Sequence, residues 1–136
     1  MRKSLLLVPF CLLLSGMAFA DDKQSPECEN QTTQADMNTC AADLAAKADD
    51  ALNAQYKRTR KAAVAWDAAQ DEADRGAEKA LLAAQRAWIA YRDAECTLEG
   101  VSTNGGSMQP LMINGCLERL SKVRSDDLKE IENGLK

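Results

Sequence analysis

One stretch of the chain decides its fold: Ala84-Gln-Arg-Ala-Trp-Ile-Ala-Tyr-Arg-Asp-Ala-Glu-Cys96. On a helix of about 100° per residue, continued back to Leu81, its side chains form one face about 120° wide. That face consists of Leu81, Leu82, Gln85, Trp88, Ile89, Arg92 and Cys96. Gln85 and Arg92 lie in its middle, and a guanidinium directed at a core needs a carboxylate or several carbonyls. The stretch therefore indicates more than a generic amphipathic helix.

The first 20 residues have the pattern of a signal peptide. A basic start, Arg2-Lys3, precedes the apolar run of residues 5–14, and Ala18-Phe-Ala20 has the small-x-small pattern of a cleavage site. The apolar run is too short to span a membrane. We expect cleavage and no membrane anchor afterwards, with one domain over residues 21–136. The alternative is an uncleaved anchor.

The net charge of the domain favours some classes of binding partner over others. Without Arg2 and Lys3 the net charge falls from −4 to −6. An acidic domain disfavours nucleic acid, whose phosphates repel it, and favours a basic protein partner.

Four cysteines follow the signal peptide: Cys28, Cys40, Cys96 and Cys116. An even number in an exported domain favours two disulfides over a metal site, and the chain has no histidine to support zinc. Three connectivities are possible. We expect local pairing, Cys28 with Cys40 and Cys96 with Cys116, and neither a metal nor a cofactor.

Apolar residues spaced by three and four predict three long helices. The first begins near Thr32 or Thr33 as N-cap and runs for about 35 residues. Asp74 is the predicted N-cap of the second, which runs to about Leu98, and Pro110 opens the third. No useful length of sequence alternates with period two. The predicted fold is all-α, an antiparallel bundle of three long helices stapled by two disulfides.

Charged and polar residues fall inside the predicted apolar stripes. On the first helix the stripe is rich in alanine and runs from Met37 to Trp66. On the third helix it consists of Ile113, Cys116, Leu117, Leu120, Val123, Arg124, Asp127, Leu128 and Ile131.

We predict a structural polar core from these positions. Its members are Gln85, Trp88, Arg92, Arg124 and Asp127, with Asp49 at the edge of the first helix's stripe. The charges either pair internally and fix the helix register or bind a ligand, and buried ion pairs more often serve structure.

Several kinds of catalytic site are missing from the sequence. Without histidine there is no Ser-His-Asp or Cys-His nucleophile, and no glycine-rich phosphate or dinucleotide motif occurs. Glu95 and Glu99 lie one helical turn apart and are better explained as solvated surface than as a glycosidase pair. We predict no catalytic residue.

Five motifs occur in order along the domain. They are Gln34-x-x-Met37-Asn-x-Cys40-Ala, Ala48-Asp49-x-x-Leu52-Asn53-x-x-Tyr56, Ala84-Gln-Arg-Ala-Trp88-Ile-x-Tyr-Arg92-Asp-x-x-Cys96, Gly105-Gly-Ser107 and Cys116-x-x-x-Leu120-x-x-x-Arg124-x-x-x-Leu128. With all four cysteines, this set resembles the LprI-type lysozyme inhibitor domain of exported bacterial proteins, over about Cys28 to Leu128. The resemblance implies a small helical exported protein and, for some members, inhibition of lysozyme. The lipoprotein cysteine of lipid-anchored members is missing, so we expect a soluble periplasmic protein.

The physical chemistry of the domain suits such an inhibitor. Animal-type lysozyme is strongly basic and has two carboxylates in its sugar-binding cleft, so an acidic domain would be steered towards it. The connection over residues 101–109 is the candidate enzyme-binding loop, braced at its base by a Cys96–Cys116 bridge. Its donors for those carboxylates are Ser102, Thr103, Asn104 and Ser107. The alternative is an ordinary helix connection.

The leading hypothesis is therefore a periplasmic lysozyme inhibitor that is not itself an enzyme and that blocks the cleft. The alternative is an immunity or adaptor protein that binds another periplasmic cell-wall enzyme or a toxin. A third reading, an enzyme or binder acting on peptidoglycan, is disfavoured by the missing histidine and by the position of Trp66 and Trp88 on apolar stripes.

Overall fold

The computed structural model describes residues 26–28 and 30–136, so the predicted signal peptide and its cleavage site lie outside the described residues. Three helices make up this part of the chain: α1 (Gln34–Ala69), α2 (Ala77–Gly100) and α3 (Gln109–Gly134). Short 3₁₀ turns cover Pro26–Cys28, Glu72–Asp74 and Val101–Thr103, and no strand occurs among the described residues. The prediction of an all-α fold with three long helices is confirmed.

Helices α1 and α2 are antiparallel neighbours. Near the end of α1, Arg60 Nη2 lies 2.7 Å from Glu78 Oε1, in the first turn of α2. Nearer the start of α1, Asp49 Oδ1 lies 2.7 Å from Arg92 Nη1, in the second half of α2. These two ion pairs, one in each half of α1, therefore fix the register between α1 and α2.

Helix α3 runs parallel to α1, as the third helix of an up-down-up bundle must. Asn38 near the start of α1 donates to the carbonyl of Ser107, just before α3, at 2.9 Å. Thr59, further along α1, donates to the carbonyl of Leu128 at 2.9 Å. The most extensive packing in the described part of the chain is between these two helices.

Small side chains on α1 permit this packing. The predicted N-cap is confirmed at Thr33, whose hydroxyl accepts a hydrogen bond from the amide of Asp36 at 3.1 Å. The buried residues of the helix are Ala41, Leu44, Ala45, Ala48, Leu52, Gln55, Thr59 and Ala63. Trp66 was predicted on this stripe but is 39% exposed. The buried face of the helix ends at Ala63, which is rotated around the helix axis from Trp66. The indole of Trp66 is therefore at the surface.

The stripe predicted on α3 is also partly wrong. Val123 is 54% exposed, Ile131 is 42% exposed, and Asp127 is exposed as well. Cys116 and Leu128 are buried as predicted, but the buried residues of α3 also include Glu118 and Ser121. Ser121 and Leu128 are seven residues apart on one face, and Val123 and Asp127 lie away from that face.

Both disulfides form as predicted and lie at the same end of the bundle. Cys28 pairs with Cys40, with Cα atoms 5.9 Å apart, and Cys96 pairs with Cys116, with Cα atoms 5.3 Å apart. They join the short N-terminal turn to α1 and the end of α2 to the start of α3. This disulfide end therefore has two covalent constraints close to the α2–α3 connection.

The opposite end depends on a cap that comes from α1. Asp74, the predicted N-cap of α2, lies in a 3₁₀ turn, and α2 begins only after Gly76. The carboxylate of Asp67 accepts instead from the amides of Gly76 and Ala77, both at 2.9 Å, and of Glu78 at 3.0 Å. One side chain thus satisfies three amides that a helix start leaves unpaired. These backbone hydrogen bonds hold the pKa of Asp67 below its usual value.

We predict that Asp67→Asn lowers the thermal midpoint near neutral pH, because the amide side chain loses the charge that the helix start stabilises. The folded-state pKa of Asp67 lies below its unfolded value, so the stabilisation is present above about pH 4. It is lost as the pH falls through the lower folded-state pKa. The difference in midpoint between wild type and variant should therefore shrink below about pH 4 in thermal scans.

Asp71→Asn is the matched control, because Asp71 is exposed and its side chain caps nothing. It removes the same charge close to the same helix. An equal loss of stability in both variants would show that the net charge matters and the cap does not.

Close contact between α2 and α3 depends on a glycine. Gly100 is the buried last residue of α2. A Cβ at this position would lie 2.7 Å from Cγ1 and 2.9 Å from Cδ1 of Ile113. The approach of the two helices, which sets the base of the loop between them, therefore leaves no room for a side chain.

We predict that Gly100→Ala lowers the free energy of unfolding by about 1–3 kcal/mol, the usual cost of overpacking. Gly115→Ala on α3 is the control, because no atom lies within 4 Å of its added Cβ. It should be neutral or stabilise by about 0.5–1 kcal/mol through helix propensity. Urea unfolding of both variants measures the difference, and equal effects would contradict the close contact.

Candidate functional site

The connection between α2 and α3, residues 101–108, lies at the disulfide end and contains the four predicted contact residues. Ser102, Asn104 and Ser107 are exposed, whereas Thr103 is half-buried. The loop is short, and its backbone turns at Gly105, which has φ of +75° in the left-handed region that favours glycine.

Two of the hydroxyl groups bond to the end of α2. Ser102 Oγ donates to the carbonyl of Glu99 at 3.3 Å, and Thr103 Oγ1 donates to the carbonyl of Gly100 at 3.2 Å. They satisfy carbonyls that the end of a helix leaves without partners. Both hydroxyl groups therefore help to hold the loop against the end of α2, Thr103 from a half-buried position and Ser102 from an exposed one.

Gln109 holds the middle of the loop. Its Nε2 donates to Asn104 Oδ1 at 3.2 Å, and its Oε1 accepts from the amide of Gly105 at 3.2 Å. This contact uses the carbonyl oxygen of Asn104. Among the described residues no hydrogen bond uses its amide N–H donors.

Helix α1 holds the far side of the loop. Asn38 Nδ2 donates to the carbonyl of Ser107 at 2.9 Å, and Gln34 Nε2 donates to Asn38 Oδ1 at 2.9 Å. The loop is therefore fixed at three places, by the end of α2, by Gln109 and by α1. A loop held in this way loses little further conformational entropy when a partner binds.

Charge is distributed unevenly along the bundle. The first half of α1, at the disulfide end, has one basic residue against four acidic ones: Lys47 against Asp36, Asp43, Asp49 and Asp50. The second half has four basic residues against one acidic one: Lys57, Arg58, Arg60 and Lys61 against Asp67. The last turns of α2 add Asp93, Glu95 and Glu99 to the disulfide end. The loop therefore lies at the acidic end of the molecule.

Arg92 is the centre of one polar cluster. Its Nη1 lies 2.7 Å from Asp49 Oδ1, its Nε lies 2.9 Å from Asp93 Oδ1, and its guanidinium carbon is 5.2 Å from the centre of the Trp88 ring. Burial lowers the pKa of Arg92, but the hydrogen bonds to Asp49 and Asp93 outweigh it and raise the pKa overall. The arginine joins α1 to α2, and a long contact of 3.5 Å reaches Ser121 on α3.

Arg124 lies in a separate cluster. Its Nε donates to Oε1 of the buried Gln85 at 3.1 Å. Its Nη2 is buried without a hydrogen-bond partner among the described residues. Asp127, predicted in the polar core, is exposed because the buried face of α3 passes through Leu128. The structure thus brings Arg92 together with Trp88 and Asp49, and Arg124 with Gln85, but leaves Asp127 out.

A third polar contact joins α1 to α3 and was not singled out from the sequence. Gln55 and Thr59 are both buried, and Thr59 bonds to the carbonyl of Leu128. Gln55 Nε2 donates to Glu132 Oε2 at 2.7 Å. Their spacing of four on an apolar stripe was the available signal, and only a structure shows the partners.

The described residues offer binding groups and limited reactive chemistry. All four cysteines of the predicted domain are in disulfides and so are not thiolate nucleophiles. In the part of the chain that the structure describes, no group of three or more acidic or cysteine side chains could hold a metal ion. No helix within this part of the chain is both long and apolar enough to cross a membrane.

Comparison with known proteins agrees with the resemblance in the sequence. A family model described as lysozyme inhibitor LprI matches residues 27–128, which include all four cysteines and the whole loop. A protein of Rhizobium meliloti (strain 1021), described as uncharacterized, is 41% identical over 124 residues, which cover 88% of this chain and 89% of that protein. No solved structure matches the chain. Because the family model covers most of its length, this chain belongs to the LprI lysozyme inhibitor family.

Proposed function

We propose that this protein is a soluble periplasmic inhibitor that binds lysozyme with its disulfide end and blocks the catalytic cleft. One observation carries the proposal: the braced, donor-bearing loop lies at the acidic end of the bundle. Family membership gives lysozyme as the class of partner.

Charge supports the first step of binding. A strongly basic enzyme is drawn towards the end of the bundle with the excess of carboxylates. Asp43 and Asp50 are exposed on this half of α1 and are available to long-range attraction. The basic half of α1 disfavours approach from the other end, so the charge distribution also orients the partner.

Hydrogen bonding supports the second step. The two carboxylates in a lysozyme cleft accept hydrogen bonds and need donors on any protein that fills the cleft. Asn104 and Ser107 are exposed and offer an amide and a hydroxyl. Ser102 can contribute by exchanging its long bond to Glu99, whereas Thr103 is half-buried and keeps the loop in place.

The disulfides support two parts of the proposal, the periplasmic location of the protein and the rigidity of its binding loop. Disulfides persist in an oxidising compartment such as the periplasm. The Cys96–Cys116 bridge spans 20 residues and closes the segment that contains the loop. Inhibition of this kind needs no cofactor and no catalytic residue in the inhibitor, because the enzyme is blocked by occupation of its cleft.

We expect purified protein from residue 21 onwards to slow lysis of cell walls by an animal-type or a goose-type lysozyme. A variant with Asn104→Asp and Ser107→Ala should inhibit at least about tenfold more weakly. Its melting temperature should change little, because the change at position 104 removes the amide donors but keeps an oxygen for Gln109 Nε2. Lysis rates at varied inhibitor concentration measure the effect. Lack of inhibition of both enzyme classes at high excess would contradict the proposal and favour another wall-degrading partner.

A matched pair of charge variants tests the orientation of the complex. Asp43→Asn with Asp50→Asn removes two charges from the disulfide end, and Asp71→Asn with Asp74→Asn removes two from the other end. The first pair should slow association with lysozyme and reduce its dependence on salt, and the second should change neither. Equal effects on the association rate would place the contact surface elsewhere.

A further inference from the structure

A groove of about 750 Å³ lies at the end of the bundle opposite the loop, between the last turns of α1 and the end of α3. Its floor is apolar and includes Ala62, Ala65 and Leu135. Trp66 and Gln70 lie along it as well. Neither the disulfides nor the candidate enzyme-binding loop take part in it.

Trp66 is the unusual residue of this groove. The two tryptophans of the chain differ in their surroundings. Trp88 packs against the core cluster and has Arg92 over its ring, whereas Trp66 is 39% exposed. Its neighbours in the groove on α1 are alanines, which are too short to cover an indole ring. An exposed aromatic ring beside small residues is a suitable platform for the apolar face of a ring-shaped ligand.

The rim of the groove is basic, although the chain as a whole is acidic. Arg58, Lys61 and Lys136 line it, against a single acidic residue, Glu132. Glu132 is already paired, since Lys136 Nζ and Gln55 Nε2 each lie 2.7 Å from its carboxylate oxygens. Those hydrogen bonds hold its pKa below the usual value, so it stays ionised at neutral pH.

Two cations of the rim remain for a ligand. Arg58 is exposed and donates both its Nε, at 3.2 Å, and its Nη2 to Oε1 of Gln55, a neutral partner. It makes no ion pair with any described residue and interacts with Glu132 only at longer range. Lys61 is exposed and makes no ion pair with any described residue. An anionic group that enters the groove beside Trp66 would therefore meet a net positive charge.

We propose that this groove binds a carboxylate-bearing saccharide, with the sugar ring on Trp66 and the carboxylate at Lys61 and Arg58. Gln70 offers an amide for the ligand's hydroxyl or acetamido groups. Peptidoglycan has this chemistry, because the peptide stems attached to its sugars bear free carboxylates, and it is the substrate of the family's partner enzyme. The site acts in binding only and involves no chemical step.

The groove and the loop can be occupied at the same time. Trp66 lies 28 residues beyond Asn38 on the same helix, which is about 42 Å at 1.5 Å per residue. The proposal therefore stands independently of lysozyme inhibition. If the groove binds peptidoglycan and the loop binds lysozyme, the protein would be retained on the polymer that lysozyme attacks.

Sedimentation with purified peptidoglycan sacculi, without lysozyme, tests the site. We expect wild-type protein to co-sediment, and Trp66→Ala and Lys61→Glu each to weaken binding at least about tenfold. Lys61→Glu should do so with little change in melting temperature, because Lys61 is exposed. Lys57→Glu is the matched control, because Lys57 is an exposed lysine of α1 outside the groove. It should bind as the wild type does.

Soluble probes test the ligand class by calorimetry. Muramyl dipeptide, which has a carboxylate, should bind more tightly than the neutral disaccharide N,N′-diacetylchitobiose, and Lys61→Glu should abolish the difference. Failure of wild type to bind either sacculi or muramyl dipeptide would overturn the proposal, as would equal binding by Trp66→Ala. A wild-type dimer that Trp66→Ala dissociates would assign the groove to a second copy of the chain instead. The loop variant should retain sacculus binding, which separates failure here from failure of the inhibitor proposal.

Discussion

Helices α1 and α3 can pack closely only because the residues between them are small. Alanines at positions 41, 45, 48 and 63 and Ser121 replace the larger aliphatic side chains that most helix pairs use. The close approach places the hydroxyl of Thr59 within 2.9 Å of the Leu128 carbonyl. A core cluster with few large members, Leu52, Leu81 and Leu128, then suffices between the three helices.

The two ends of the bundle are stabilised by different means. One end has both disulfides and the three hydrogen-bonded attachments of the loop. Together these bonds hold the loop in one conformation. The other end has no disulfide among the described residues and relies on Asp67, which caps α2 from the end of α1. This division leaves the last turns of α1 open on one side, and the groove with Trp66 lies there.

Features set by neighbouring residues could be predicted from the sequence. The cap at Thr33 and the local disulfides depend on short separations, and the helix count follows from spacing. Features that depend on distant partners could not be predicted. The cap at Asp67 comes nine residues before the amide of Gly76, and a buried serine at position 121 has the polarity of a surface residue. The same holds for the loop: three of its four predicted contact residues are exposed, but its attachment through Asn38, 69 residues away from Ser107, could not be predicted.

The parallel alignment of α1 and α3 constrains the order in which the chain folds. The Thr59–Leu128 contact joins residues 69 positions apart, so a chain that emerges from its N-terminus cannot close this core until nearly all of it is out. The two disulfides close loops of only 12 and 20 residues, so each needs only neighbouring segments of the chain. The packing of α1 against α3 is therefore the part of the core that must wait longest for its second half.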